Sequence, residues 1–153
     1  MEQAEERINR LTEAMKYLII KMQEVDATCV ELCEDITKKD LCVIDFIGGK
    51  GEVIMRDIAE YLNVPVSTTT GIIDKLVDKK YLRRYHSTKD RRIVKVSLAD
   101  RGKQTFALAK KHMFQLGEKI LGDLNAQDQE ELIDLLERVT NNLNRHIPVA
   151  SGT

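Results

Sequence analysis

The sequence has no tryptophan, only two prolines and only eight glycines in 153 residues. So few helix breakers exclude collagen-like and Pro/Gly-rich disordered chains and point to a helix-rich protein. No apolar run approaches the roughly 18 residues that span a bilayer, so no membrane segment is expected. The opening Met1-Glu2-Gln3-Ala4-Glu5-Glu6-Arg7 has no basic stretch followed by an apolar one. No secretory leader is therefore expected, and the cytoplasm is the default compartment. Cysteine is sparse: Cys29, Cys33 and Cys42 are an odd number with no Cys-x-x-Cys pair. A disulfide framework is not expected, and reduced thiols fit a cytosolic setting. His86, His112 and His146 are scattered and far from the cysteines in sequence, so no metal site is expected. With no nucleophile–base arrangement, phosphate loop or metal-ligand spacing, neither an enzyme nor a cofactor is expected.

What is present is a chain 42% apolar, enough for a real core, and 32% charged. Its net charge of −1 conceals a strong asymmetry. Between residues 72 and 103, eleven Lys and Arg stand against four Asp and Glu, a local net of +7. The other segments are all acidic. A compact basic block in an acidic chain is the footprint of a polyanionic partner, beside the plainer reading of a solvated basic surface.

Long helices are predicted at both ends. Ile8, Leu11, Met15, Leu18, Ile19 and Met22 form a narrow apolar stripe at helical spacing over residues 5–25. Residues 104–121 repeat the pattern with Phe106, Leu108, Met113, Leu116 and Ile120. A last helix starts at Asn125 as N-cap, with Asp128 at N3, and carries Leu132, Leu135, Leu136, Val139 and Leu143. These faces pack either within one chain or onto a second chain. The small middle cannot cover them all, which favours a shared dimer core.

The middle reads differently. Leu41 to Ile47 is a helix predicted to stop at Gly48-Gly49. Val53-Ile54 is a short strand, and Met55 to Leu62 a short helix ended by Asn63-Val64-Pro65. Pro65 suits the first turn of a second helix running to about Lys79, with Ile72, Ile73, Leu76 and Val77 inward. Short helix, tight turn and longer helix make a helix-turn-helix. A hairpin follows, from Leu82–Ser87 to Ile93–Leu98, around the polar turn Thr88-Lys89-Asp90-Arg91. A basic hairpin directly after a helix-turn-helix is a wing.

The second helix opens with Ser67-Thr68-Thr69-Thr70-Gly71, a stretch that costs helix stability relative to alanine. Its outward positions are Ser67, Thr68, Thr70, Gly71, Asp74 and Lys75. Small hydroxyls at a helix start suit phosphate oxygens and base edges. Thr68, Thr70 and Lys75 are the expected DNA contacts there, while Ser67 also reads as an N-cap and Thr69 as packing. The wing adds Arg83, Arg84, Lys89, Arg91, Arg92 and Lys95, and an arginine-bearing hairpin tip suits a narrow minor groove. Asp90 reads as an internal partner that positions a wing arginine, or as a plain turn residue.

These motifs together resemble the MarR family of winged-helix regulators, over roughly residues 37–145. The resemblance rests on Asp57-Ile58-Ala59-Glu60-Tyr61-Leu62-Asn63-Val64, Ser67-Thr68, Ile73-Asp74-Lys75-Leu76, Asp90-Arg91-Arg92, Val96-Ser97-Leu98 and Gly102. It implies six helices with a small sheet, and a dimer made by the N- and C-terminal helices. It maps an Asp-x-Arg wing motif onto Asp90 and Arg92, with Arg92 the minor-groove finger. It also implies a pseudo-palindromic operator, frequent repression, and release by a small aromatic or anionic effector bound between the dimer helices and the winged helix. Four departures stand out. Lys80 replaces a glycine that closes the recognition helix, Ser87-Thr88 replaces an Asp-Pro, Gly71 replaces a larger side chain, and Ala99 replaces a threonine cap.

The expected fold is mostly α with a small β-wing: a winged helix-turn-helix domain flanked by N- and C-terminal dimerisation helices. The expected division is residues 1–36 for the N-terminal dimerisation region, 37–100 for the DNA-binding domain, 101–147 for the C-terminal dimerisation helices and 148–153 for a tail. The expected function is a homodimeric, sequence-specific transcriptional regulator acting on double-stranded DNA, a repressor as the resemblance implies. Two alternatives stand beside it. One is a winged-helix module that docks an acidic protein. The other is a thiol-based oxidant sensor using Cys29, Cys33 or Cys42, against which inert thiols are the plainer reading.

Overall fold

The computed structural model describes Glu2 to His146; the expected tail, 148–153, lies outside the described residues. Six helices and three strands follow one another: α1 (Glu2–Cys33), α2 (Lys38–Lys50), β1 (Glu52–Ile54), α3 (Met55–Leu62), α4 (Val66–Asp78), β2 (Leu82–His86), β3 (Val94–Leu98), α5 (Asp100–Leu121) and α6 (Ala126–His146). The fold is mostly helical with one small antiparallel sheet of order β1-β3-β2.

The sheet is pinned by its central strand. Val96, fully buried, pairs with Val53 on one side and Arg84 on the other, and Leu98 pairs with Leu82. Val96 and Leu98 face the core, as their alternation predicts. There they meet Val43, Ile44 and Ile47 of α2, Ile58 of α3, and Ile73 and Leu76 of α4. This single core fixes α4 against the sheet.

Two local expectations change. The helix predicted to stop at Gly48-Gly49 runs on to Lys50. Gly48 is there for packing: a Cβ on it would sit 2.5 Å from the Phe106 ring of α5. The stop is Gly51, whose φ of +83° closes the helix at little cost for a residue without Cβ. The second change is that Pro65 precedes α4 as its N-cap, so Ser67 lies inside the helix and does not cap it. Asn63 turns the chain between α3 and α4 in the left-handed region, at φ +51°. Asn125 does cap α6, its side-chain oxygen accepting from the Gln127 and Asp128 amides at 2.9 and 3.0 Å.

Helix α4 ends in a Schellman motif. The Tyr81 amide donates to the Leu76 carbonyl and the Lys80 amide to that of Val77, both at 2.9 Å. The motif demands a left-handed residue, and Lys80 supplies it at φ +62°. The lysine thus sits where glycine would be unstrained. Gly102, in turn, lets α5 approach the same corner, because a Cβ there would lie 2.1 Å from the Tyr81 carbonyl oxygen.

The helices at the two ends are poorly covered. Ile8 and Leu11 of α1 are 62% and 60% exposed, and Leu136 and Val139 of α6 are 52% and 53% exposed. The upper part of α1 and the whole of α6 carry their apolar stripes into open space. Among the described residues no helix is long and apolar enough to cross a membrane.

Replacing Lys80 with glycine should stabilise the protein by about 0.5–1 kcal/mol, by removing the left-handed penalty of a side-chain-bearing residue. Urea unfolding of the two proteins measures this. A loss of stability would mean that Lys80 makes a compensating contact.

Candidate nucleic-acid interface

The turn, helix α4 and the hairpin put the sequence-predicted residues on one side of the core. On α4, Ser67, Thr68 and Gly71 are exposed, and Thr69 is buried with its hydroxyl donating to the Pro65 carbonyl at 3.2 Å. Thr70 is half-buried and its hydroxyl donates to the Val66 carbonyl at 3.0 Å. The open positions at the start of the helix are therefore Ser67 and Thr68, and Gly71 leaves space beside them, since a Cβ there would touch nothing.

Lys75 is placed otherwise than its spacing suggests. Its ammonium binds the Asp40 carboxylate at 2.5 Å, and Asp40 is 3% exposed. Asp40 also closes a capping box at the start of α2, accepting from the Thr37 amide at 2.8 Å while the Thr37 hydroxyl accepts from the Asp40 amide. Burial alone would raise the Asp40 carboxyl, but the Lys75 ammonium and the Thr37 donors outweigh it and hold it below the usual carboxylate range. Sequence reasoning missed Asp40. Its local half was legible as Thr37-x-x-Asp40, but its partner lies 35 residues away.

The wing divides into an engaged base and a free tip. At the base, the Arg83 Nε–H donates to the Ser97 hydroxyl at 2.8 Å. Arg84 pairs with Asp74 of α4 at 2.8 Å, tying the wing to the recognition helix. At the tip, Lys89, Arg91 and Arg92 are all exposed, and none has a carboxylate within 4.0 Å among the described residues. Asp90 does not grip an arginine side chain. Its Oδ1 accepts from the Arg92 amide at 2.9 Å, an Asx turn that shapes the backbone, and the His86 Nδ1–H donates to the Arg91 carbonyl at 2.8 Å. The tip's conformation is therefore fixed by backbone contacts, and its cations are left available.

Behind this surface a second carboxylate joins four elements. Asp35, between α1 and α2, accepts from the Tyr81 hydroxyl at 2.6 Å and from the Arg101 guanidinium at 2.9 and 3.1 Å. Arg101 also donates to the Lys79 carbonyl at 3.1 Å and lies 4.4 Å from the Tyr81 ring centroid, while the Lys79 ammonium donates to the Asp35 carbonyl. The Tyr81 hydroxyl and the guanidinium hold Asp35 low, and burial together with that carboxylate pushes the Tyr81 phenol well up.

A cavity of about 440 Å³ lies between the helical scaffold and the helix-turn-helix. Helices α1 and α5 supply Asp26, Cys29, Lys110 and Phe114 to its lining; α2 and α3 supply Leu41, Cys42, Asp45 and Tyr61. Burial pushes the Cys29 and Cys42 thiols up, the opposite of what a reactive thiolate needs. Cys29 Sγ rests 3.4 Å from His112 Nδ1. No group of three His, Cys, Asp or Glu side chains is arranged to hold a metal among the described residues.

Short helix, left-handed turn, exposed second helix and three-stranded wing define a winged helix-turn-helix. The sequence profile of the MarR family matches residues 34–93. An HTH-type transcriptional regulator of Bacillus subtilis, YdgJ, is 25% identical over 128 residues, covering 84% of this chain and 78% of that one. The HTH-type transcriptional repressor MdtR of the same organism is 29% identical over 67% of this chain and 65% of its own length. Streptococcus pneumoniae FabT, solved in complex with DNA, superposes with a TM-score of 0.75 at 24% identity, over 90% of this chain and 97% of that one. At that identity the superposition speaks for the fold. Residues 34–93 thus resemble the MarR family, these relatives are HTH-type transcriptional regulators, and the fold is that of a winged helix-turn-helix.

Asp40→Asn should destabilise the protein by about 2 kcal/mol at neutral pH, since it leaves the Lys75 charge unpaired and weakens a helix cap. The Asp40 carboxyl titrates below its unfolded value of about 3.9, so its contribution is complete above that pH and fades as pH falls through the folded value. Urea unfolding across the acid range should show the variant and the parent converging at low pH. A gap that stays constant with pH would remove the charge from the account.

Proposed function

We propose that this protein is a homodimeric, sequence-specific regulator that binds double-stranded DNA at a pseudo-palindromic site and represses transcription. The observation that supports it most is the pairing of an exposed hydroxyl-lined helix start, Ser67 and Thr68, with a wing tip whose Lys89, Arg91 and Arg92 have no carboxylate partner. In this reading α4 enters the major groove and the tip reaches the adjacent minor groove, where a narrow A·T tract concentrates negative potential. Arg92 is the groove-inserting residue, Arg91 and Lys89 contact backbone phosphates, and Asp90 shapes the turn. Lys75, Thr70, Arg83 and Arg84 hold the reading elements in place, because their polar groups are engaged within the protein. The DNA-bound state of FabT supports the partner, and the repressor MdtR supports the sign of regulation. Residues 37–100 would be the DNA-binding unit.

The uncovered stripes of α1 and α6 support the dimer in this reading. Ile8, Leu11, Leu136 and Val139, each somewhat over half exposed, forfeit on the order of 1 kcal/mol of burial per side chain. A second copy, matching the stripes to one another around a two-fold axis, recovers it. The cavity between α1, α2, α3 and α5 is then the site of a small effector that shifts the winged helices relative to the dimer helices.

Sedimentation should give a dimer, and Leu136→Glu together with Val139→Glu should give a monomer that no longer shifts DNA carrying the chain's own upstream region. On that DNA, Arg92→Ala should weaken binding by about 1–3 kcal/mol with the dimer intact. Log affinity should fall steeply with log salt, by about 0.9 per phosphate neutralised. Tight binding to an acidic protein in place of a DNA complex would overturn the regulator reading.

A further inference from the structure

The cavity carries two carboxylates, Asp26 on α1 and Asp45 on α2, and one cationic side chain, Lys110 on α5. We propose that it takes a small amphipathic organic cation, an aromatic body bearing a quaternary or protonated amine; of the aromatic or anionic effectors that the family resemblance implies, it keeps the aromatic character and not the negative charge. The proposal rests on the effector reading above and specifies its chemistry.

The charges are unevenly paired. Asp26 has Lys38 at 3.4 Å, the aspartate half-buried and the lysine exposed. Asp45 has no cation within 4.0 Å among the described residues. The Lys110 ammonium instead lies over the Phe106 ring, 5.6 Å from its centroid. An entering anion would therefore add negative charge beside the unpaired Asp45 between apolar walls, where repulsion is poorly screened. An entering cation would relieve that repulsion. Asp45 already registers it: burial and the neighbouring Asp26 charge raise its carboxyl above the usual range, against a smaller lowering by Lys110.

The walls fit the rest of such a molecule. Leu41, Ala109, Met113 and Phe114 offer an apolar surface for a planar body. The Tyr61 ring, held by stacking on Phe46 at 4.2 Å and 13°, offers a π-face that attracts a cation. Met113 adds a polarisable thioether that adapts to ring edges.

The site also has a route to the DNA-reading surface. Helix α2 brings Leu41, Cys42 and Asp45 to the cavity, and the residue just before Leu41 is Asp40, which holds Lys75 of α4. Tyr61 sits near the end of α3, two residues before the Asn63 turn into α4. A cation that draws Asp45 and Tyr61 toward itself thus pulls on both supports of the recognition helix.

Calorimetric titration of the full chain with three isosteric probes tests this: N-methylquinolinium, uncharged quinoline and 2-naphthoate. The cation should bind, and bind tightest. Asp45→Asn should weaken it at least tenfold, Asp45→Glu should restore most of that loss, and Lys110→Gln should leave it unchanged or tighter. Thermal melts of each variant exclude misfolding as the cause, and Asp26→Asn gives a second arm if Asp45→Asn is unstable. Tighter binding of naphthoate, weakened by Lys110→Gln, would overturn the cation assignment while leaving an effector site in place. No binding of any probe would overturn it too. If the cation binds as expected but leaves the operator complex unchanged in a gel shift, the cation site stands and the effector reading falls.

Discussion

The arrangement depends on one aspartate that three distant side chains engage. Asp35 receives the Tyr81 hydroxyl and the Arg101 guanidinium, and its backbone receives the Lys79 ammonium. It sits where α1 ends, so the long scaffold helix, the end of the recognition helix, the first wing strand and the start of α5 meet at one point. Charge-assisted bonds are shorter and stronger than neutral ones, and a bidentate guanidinium also sets direction. Loosen this junction and the winged helix keeps its own core but loses its angle to the scaffold. The left-handed backbone at Lys80 and the close approach at Gly102 are local consequences of routing the chain through the same corner.

A division of labour among cations follows from the surrounding carboxylates. The block from 72 to 103 reads in sequence as a uniform field of +7. In the folded protein Asp40 neutralises Lys75, Asp74 neutralises Arg84 and Asp35 neutralises Arg101. Among the described residues, Lys89, Arg91 and Arg92 keep three such charges unpaired together at the wing tip. A field focused on a projecting hairpin orients an approaching polyanion more sharply than a smeared one.

Much of this was legible before any coordinates. The alternation of Val94, Val96 and Leu98, the helical spacing of Ile72, Ile73 and Leu76, and the Asn125 cap all report local periodicity or local hydrogen bonding, and such signals survive in one dimension. The exposed state of Ser67 and Thr68 followed from the same periodicity. What escaped depends on partners far apart in sequence. Lys75 looked free because Asp40 is 35 residues away, and the Asp35–Arg101 bond spans 66. Gly48 looked like a helix stop because nothing nearby in sequence reveals the Phe106 ring it accommodates. Asp90 read either as a partner positioning a wing arginine or as a turn residue, because composition does not distinguish a carboxylate that binds a guanidinium from one that binds the next-but-one amide. The cavity is the extreme case, since its lining comes from four helices and leaves no linear motif.

Gly71 carries a consequence of another kind. It lies on the exposed face of α4, its surroundings are empty, and its backbone is ordinary helix. Almost any L-residue placed there would raise helix propensity and strain nothing. Folding therefore exerts no selection for glycine at this point, and the position is free to drift as far as the scaffold is concerned. In the proposed reading, where α4 meets DNA, a side chain acquired at Gly71 could alter recognition without first acquiring spare stability, because mutation there carries no folding penalty.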